Sequence, residues 1–221
     1  MLKAMLVKEL RECGPWALAA LAISGYGVLF MIGRVWPSDR FIGTAPFVQD
    51  GFNPFFPLIA AALAIGLGLR QTLGESIRGT YPLLLRLPAA RRGLFAMKLL
   101  AGGGVYLVCM AAPILLYGAW SAVPGHVAAP FRWSITFPSW GIWLAGAVVY
   151  LGAFLTGVRP GSWWWSRLWP LFGALLIFWL ACMLLPAPLS QWWRTTALAI
   201  LALSIPIFLI SIFLAAESRD F

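Results

Sequence analysis

Charged residues are scarce in this chain, making up 10% of its 221 residues, and only seven residues are acidic. A typical soluble domain contains about 25% charged residues. The hydrophobic residues, at 62% of the chain, exceed what a water-soluble fold of this size can cover with polar surface. The composition therefore excludes an ordinary soluble protein.

Side chains that usually carry catalysis or bind metals are also few and scattered. His126 is the only histidine, in a predicted outer loop where we expect it to be solvated, and no acidic residue lies between Glu75 and Glu217. An acid–base or metal site needs several such groups close together. The three cysteines stand far apart without metal-ligand spacing and are expected to be packing residues. We therefore expect no catalytic, cofactor or metal site in this chain, and no enzyme activity of its own.

Long uncharged stretches dominate the sequence instead. A helix needs about 20 apolar residues to cross the hydrocarbon core of a bilayer, and six stretches have that length. They must be helices because lipid offers the backbone no hydrogen-bond partner, and the alternation typical of a membrane barrel is missing. The sequence predicts an all-α, polytopic helical membrane protein that forms a single domain over 1–221. Its six transmembrane helices are expected at about 14–34, 51–72, 98–123, 133–158, 168–190 and 195–216.

Lys and Arg are unevenly distributed among the predicted loops. If the N-terminus is inside the cell, twelve of the 16 basic residues lie on the cytoplasmic side. Short loops that carry positive charge stay in the cytoplasm, so we expect both termini there and a location in a cell membrane such as the bacterial inner membrane. The formal net charge of +9 then reflects topology and contact with the lipid bilayer, and no nucleic-acid partner is expected.

The first thirteen residues are amphipathic rather than apolar. Apolar residues recur at helical spacing, with Leu10 among them, while Glu9 belongs to the charged face. Such a helix can lie in the plane of the membrane interface, and an ordinary positively charged flank fits the pattern equally well. No ionisable side chain falls inside the uncharged runs, which gives little support to proton-coupled transport or voltage sensing.

The predicted cytoplasmic connection between the second and third spans, 70–98, is longer than a simple connector needs to be. It holds six of the 16 basic residues and an apolar cluster over 81–87. Thr80 is suited to cap a short helix, Pro82 to its first turn, and Pro88 to its end. The loop is therefore expected to have a structure and a partner.

This loop also follows a recognisable pattern: an acidic residue, then three residues, Gly-Thr, a Leu-rich turn, a Pro, a basic pair and a Lys that opens the third span. The matching residues are Glu75, Gly79, Thr80, Leu84, Leu85, Pro88, Arg91, Arg92 and Lys98. In this respect the chain resembles the membrane subunits of ATP-binding cassette transporters of the type-two permease class, which are mainly exporters. One departure is the outer segment 186–194, which is shorter here than in many members of that class.

The resemblance implies that 1–13 acts as a connecting helix beside the membrane and that about 79–88 acts as a coupling helix seated on a cytoplasmic ATPase. The implied ATPase-coupling residues are Glu75, Arg78, Gly79, Thr80, Tyr81, Leu84, Leu85, Pro88, Arg91 and Arg92. The implied partners are two ATPase subunits and a second six-span permease chain, identical or similar. A phosphate-binding Gly-x4-Gly-Lys-Ser/Thr loop is absent from this sequence, so ATP and Mg would be bound by the partner.

Three functions stay open at this point. The chain is expected to be the permease subunit of an ATP-driven exporter, but the same topology equally allows a non-transporting accessory or assembly subunit of a membrane complex. A membrane enzyme is the third reading. The residues do not identify a transported substrate.

Overall fold

A computed structural model describes residues 2–35, 46–47, 52–77, 91–127, 130–159, 164–186 and 191–217. Six long helices occupy most of these residues: α1 Leu2–Val35, α2 Phe52–Ile77, α3 Arg91–Ser121, α4 Phe137–Val158, α5 Trp164–Leu184 and α6 Gln191–Glu217. All six are long and apolar enough to cross a membrane. The prediction of an all-α polytopic membrane protein with six spans is thereby confirmed.

Several helices extend beyond the uncharged runs that predicted them. Helix α1 continues without interruption from Leu2 through Pro15, so the interfacial helix expected over 1–13 and the first span form one helix. Helix α3 begins at Arg91 rather than at 98. An uncharged run predicts only the apolar part of a helix. The helix itself can be longer, because a charged side chain does not interrupt the backbone hydrogen bonds.

Helix α4 is the centre of the bundle. Every residue from Val148 to Val158 is buried, and α4 packs against α2, α3, α5 and α6. Helix α1 packs against α2 and α3, and the outward sides of α1, α5 and α6 are largely exposed. A helix that is apolar all round belongs inside a bundle, which agrees with the position of α4.

Two glycines allow neighbouring helices to approach α4 closely. A Cβ atom at Gly68 of α2 would lie 2.7 Å from the Cβ of Ala153 and 2.9 Å from the backbone nitrogen of Phe154. A Cβ atom at Gly152 of α4 would lie 2.9 Å from the carbonyl oxygen of Pro170 in α5. Larger residues would separate the helices, and small residues at such contacts are the usual basis of helix packing in membranes.

Helices α1 and α2 run in opposite directions, as two contacts establish. Glu9, near the start of α1, contacts Gln71, near the end of α2, whereas Gly27 contacts Phe55, near the start of α2. The beginning of α1, the end of α2 and the beginning of α3 therefore meet at one end of the bundle, which we call the loop end.

Aromatic rings cover the opposite end of the bundle. The ring centroid of Phe47 lies 4.9 Å from that of Phe52 and 4.8 Å from that of Tyr117. Trp120 continues the cluster and stacks on His126, with centroids 4.9 Å apart. The His126 ring nitrogen Nδ1 also lies 2.8 Å from the carbonyl oxygen of Trp120. The histidine that was expected to be solvated is thus half-buried against aromatic rings.

Candidate functional site

Most residues that the resemblance assigns to ATPase coupling lie outside the described part of the chain, and the coupling helix over 79–88 stays a prediction. These residues are Arg78, Gly79, Thr80, Tyr81, Leu84, Leu85 and Pro88. Glu75 belongs to the last turn of α2, and Arg91 and Arg92 open α3. What the structure describes is how the two helix ends that flank this loop are held.

A buried ion pair lies close to the loop end of the bundle. The ammonium group of Lys98 in α3 donates a hydrogen bond to Oε1 of Glu9 in α1 over 2.8 Å. The two side chains are only 5% and 2% exposed. The pair therefore fastens α1 directly to the first part of α3.

Gln71 of α2 connects this pair to a third helix. Its amide nitrogen donates to Oε2 of Glu9 over 3.3 Å and to the backbone carbonyl of Lys98 over 3.0 Å. The Lys98 ammonium group also lies 3.4 Å from the backbone carbonyl oxygen of Gln71. Both oxygens of the Glu9 carboxylate are thus engaged, one by a cation and the other by an amide.

Tyr150 brings the central helix α4 into the same network. Its hydroxyl donates to the amide oxygen of Gln71 over 2.7 Å. Gly102 of α3 makes this contact possible, because a Cβ atom there would lie 2.6 Å from the Tyr150 hydroxyl oxygen and would also meet the Gln71 side chain. We call Glu9, Gln71, Lys98 and Tyr150 the polar cluster. Each of the helices α1 to α4 contributes one of its members.

The face of α1 that carries Glu9 explains why this residue is buried. Glu9, Cys13, Ala20, Ser24 and Val28 are all buried, and their spacing of four or seven residues places them on one side of a helix. Small residues on this side let α1 approach α2 and α3, which brings Glu9 within reach of Lys98.

The prediction for this part of α1 was wrong. It assigned Glu9 to an exposed charged face and Leu10 to the apolar face, whereas Glu9 is buried and Leu10 is 41% exposed. Local amphipathicity cannot show that a carboxylate is neutralised by a lysine 89 positions further along the chain. The available signal was a polar side chain at each of two span boundaries, Gln71 and Lys98, since such residues inside membranes usually have partners.

The pair also changes the expectation about charge within the spans. Glu9 and Lys98 lie in the apolar stretches Leu6–Gly33 and Gly93–Ser121, each long enough to cross a membrane, although neither belongs to an uncharged run. Two charges leave water only where close pairing and further hydrogen bonds offset the loss of hydration. By contrast, Lys8 and Glu12 of α1 are 3.8 Å apart with side chains 47% and 27% exposed, and pairs of that kind contribute little.

The polar cluster is suited to holding helices together. Its carboxylate, ammonium, amide and phenol groups are directed toward one another, and none of its buried side-chain nitrogen or oxygen atoms lacks a partner. A fully satisfied buried network rigidifies the elements that it joins. Displacing any one of the four helices therefore requires breaking hydrogen bonds in this network.

Comparison with known proteins supplies no relative for this arrangement: no family, no curated protein and no solved structure matches the chain.

Proposed function

We propose that this chain is the permease subunit of an ATP-driven exporter, in which separate cytoplasmic ATPase subunits act on the membrane helices through the connection between α2 and α3. The six membrane-length helices and the loop pattern from Glu75 to Lys98 support the proposal. ATP and Mg would be bound by the partner subunits, and both termini would face the cytoplasm.

The ion pair between Lys98 and Glu9 is the observation that carries the proposal. Lys98 is the lysine that ends the loop pattern, and its ammonium group lies 2.8 Å from Glu9 in the N-terminal helix. The two segments to which the resemblance gives a role, the connecting helix at the start of α1 and the coupling loop between α2 and α3, would thus be linked by a buried ionic contact.

The position of the polar cluster suits the transmission of force. Gln71 precedes the end of α2 at Ile77, and Lys98 follows the start of α3 at Arg91. At 1.5 Å per residue these residues lie about 9 to 11 Å along the helix from the ends that flank the loop. A displacement of the loop would be transmitted to α1 and the central α4 through the hydrogen bonds of the polar cluster, so the helices would move together.

A second six-span chain would complete the pathway. The sequence contains no internal repeat that could supply a second half, and the outward faces of α1, α5 and α6 are apolar and largely exposed. Lipid covers part of such a surface, and a partner chain of the same kind would cover another part.

The test is a pair of substitutions in the loop, Leu84→Asp with Leu85→Asp, measured by membrane insertion, co-purification of the ATPase and stimulated hydrolysis of ATP. Apolar anchors at an interface contribute about 2 kcal/mol or more, which corresponds to about 30-fold in affinity. We expect the variant to insert normally and to lose the ATPase. Glu75→Gln should retain the ATPase with weaker stimulation, because a proposed ion pair of Glu75 with a nearby arginine such as Arg78 would contribute up to about 1 kcal/mol and would mainly orient the coupling helix.

The matched control places the same charges at the other end of the bundle. Ala122 and Val123 are exposed in the turn after α3, so Ala122→Asp with Val123→Asp should leave ATPase binding unchanged. Normal ATPase binding by the Leu84 and Leu85 variant would show that the loop is not the coupling element. Recovery of other membrane subunits alone, without an ATPase, would favour an accessory or assembly subunit instead.

A further inference from the structure

A groove of about 480 Å³ runs between α1 and α2 on the outer surface of the bundle. Its lining includes Trp16, Ala62, Ile65, Gly66 and Leu69, with Arg70 toward the loop end. The residues from Ala62 to Arg70 cover about 12 Å along α2 at the ordinary rise of a helix. The groove is therefore an open, largely apolar surface depression that has a cationic group in its lining.

Gly66 determines the shape of the groove. A Cβ atom at this position would lie 2.7 Å from Cζ3 of the Trp16 ring, so glycine lets the indole rest directly on the backbone of α2. Trp16 is 44% exposed and forms one wall. Ala62, one turn before Gly66, is also exposed and leaves the groove open to the surroundings of the bundle.

Arg70 is half-buried, and the two acidic residues of α1 are each paired with a lysine. Glu9 binds Lys98 over 2.8 Å, and Glu12 lies 3.8 Å from Lys8. Among the side chains that the structure describes, no carboxylate forms an ion pair with Arg70. A planar guanidinium in this setting is suited to bind a phosphate through two parallel hydrogen bonds.

We propose that this groove binds an acidic phospholipid, whose headgroup phosphate pairs with Arg70 and one of whose acyl chains lies against Trp16 and Gly66. The groove lies on membrane-length helices, so the molecules around it are lipids. Its walls are apolar where an acyl chain would lie, and its single charge is opposite to that of the headgroup. The site requires only that the chain is embedded in a membrane, and it is independent of any ATPase.

The experiment uses the purified full-length chain in a non-ionic detergent, titrated with phosphatidylglycerol or phosphatidylcholine and measured by native mass spectrometry. The wild-type chain should bind phosphatidylglycerol about fivefold more tightly than phosphatidylcholine, since one nearby cation favours an anionic headgroup by about that factor. Arg70→Gln should weaken the first bound phosphatidylglycerol about tenfold, because it removes a charge-assisted hydrogen bond. Arg70→Lys should restore part of that affinity, because lysine keeps the positive charge but lacks the planar pair of donors.

One further variant tests the part of the groove that would hold the acyl chain. Ala62→Phe fills the groove and should lower the affinity for both lipids by about tenfold. This factor corresponds to roughly two methylene groups of the acyl chain that are no longer buried. The matched controls are Ala202→Phe, at an exposed alanine of α6, and Arg159→Gln, at the exposed end of α4. Neither control should change the affinity for phosphatidylglycerol by more than about twofold.

Several outcomes would overturn the proposal. Equal affinity of the wild-type chain for the two lipids would exclude an acidic phospholipid without reliance on any variant. Unchanged binding by Arg70→Gln, or an equal loss in Arg159→Gln, would show that the charge acts elsewhere. If Ala62→Phe altered the mass of an oligomer instead of lipid occupancy, the groove would be an interface between two copies of this chain.

Discussion

Replacement of Lys98 by methionine tests how strongly the polar cluster holds the helices together. The substitution keeps much of the side-chain volume and removes the ammonium group that lies 2.8 Å from Glu9. The Glu9 carboxylate then retains one neutral donor, the amide nitrogen of Gln71 at 3.3 Å. A buried carboxylate that loses its cation costs about 3 to 5 kcal/mol, so we expect a destabilisation of that size.

Helix α1, which carries Glu9, offers a matched control. Lys8 and Glu12 form an exposed pair on α1, and Lys8→Met should cost about 0.5 kcal/mol or less. Combining Lys98→Met with Glu9→Gln should recover part of the loss, because no unbalanced charge then stays buried. The assay is equilibrium unfolding in mixed micelles at fixed detergent composition, with helix content as the signal. If Lys98→Met cost no more than Lys8→Met, the ion pair would not stabilise the bundle.

Three further results are expected. Gly68→Ala should lower the free energy of unfolding by about 1 to 3 kcal/mol, because the added Cβ atom meets α4. Gly104 faces open space, so Gly104→Ala should leave that free energy unchanged or raise it by up to about 1 kcal/mol. Similar values for the two variants would contradict the close approach of α2 and α4. Tyr150→Phe removes a 2.7 Å hydrogen bond to Gln71 and should lower the free energy of unfolding by about 1 kcal/mol. An unchanged free energy of unfolding would show that this bond does not stabilise the bundle. In a cysteine-free background, an impermeant thiol reagent applied to sealed cells should label Ser38→Cys and leave Ser76→Cys unlabelled; labelling at position 76 would reverse the topology.

The sequence predicted the six helices because long uncharged runs leave the backbone no alternative in lipid. It predicted their ends less well. Charges were treated as boundaries, yet α1 passes through Glu9 and α3 through Lys98 without interruption. Each charge is tolerated inside a helix because the other one neutralises it, and that pairing exists only after the chain has folded.

The polar cluster could be predicted only in part. Lys98 was recognised as the last residue of the loop pattern, whereas Gln71, a polar side chain at the end of a span, was not singled out. Glu9 was misassigned, and Tyr150 lay unnoticed within an apolar run. The contacts among them span 27 to 89 positions in sequence, and no periodicity within one segment reports such distances.

The most direct measurement of the proposed function is the composition of the complex purified through a tag on this chain from the membranes of its own host, in mild detergent. The permease proposal predicts a complex of two six-span chains and two ATPase chains, and its mass would include the 24.2 kDa of this chain, twice if the two permease chains are identical. The purified complex should hydrolyse ATP, and the Leu84→Asp and Leu85→Asp variant should lose both the ATPase chains and that activity. A lone six-span chain in an active complex, or a stable complex of membrane subunits without any ATP-hydrolysing chain, would contradict the proposal.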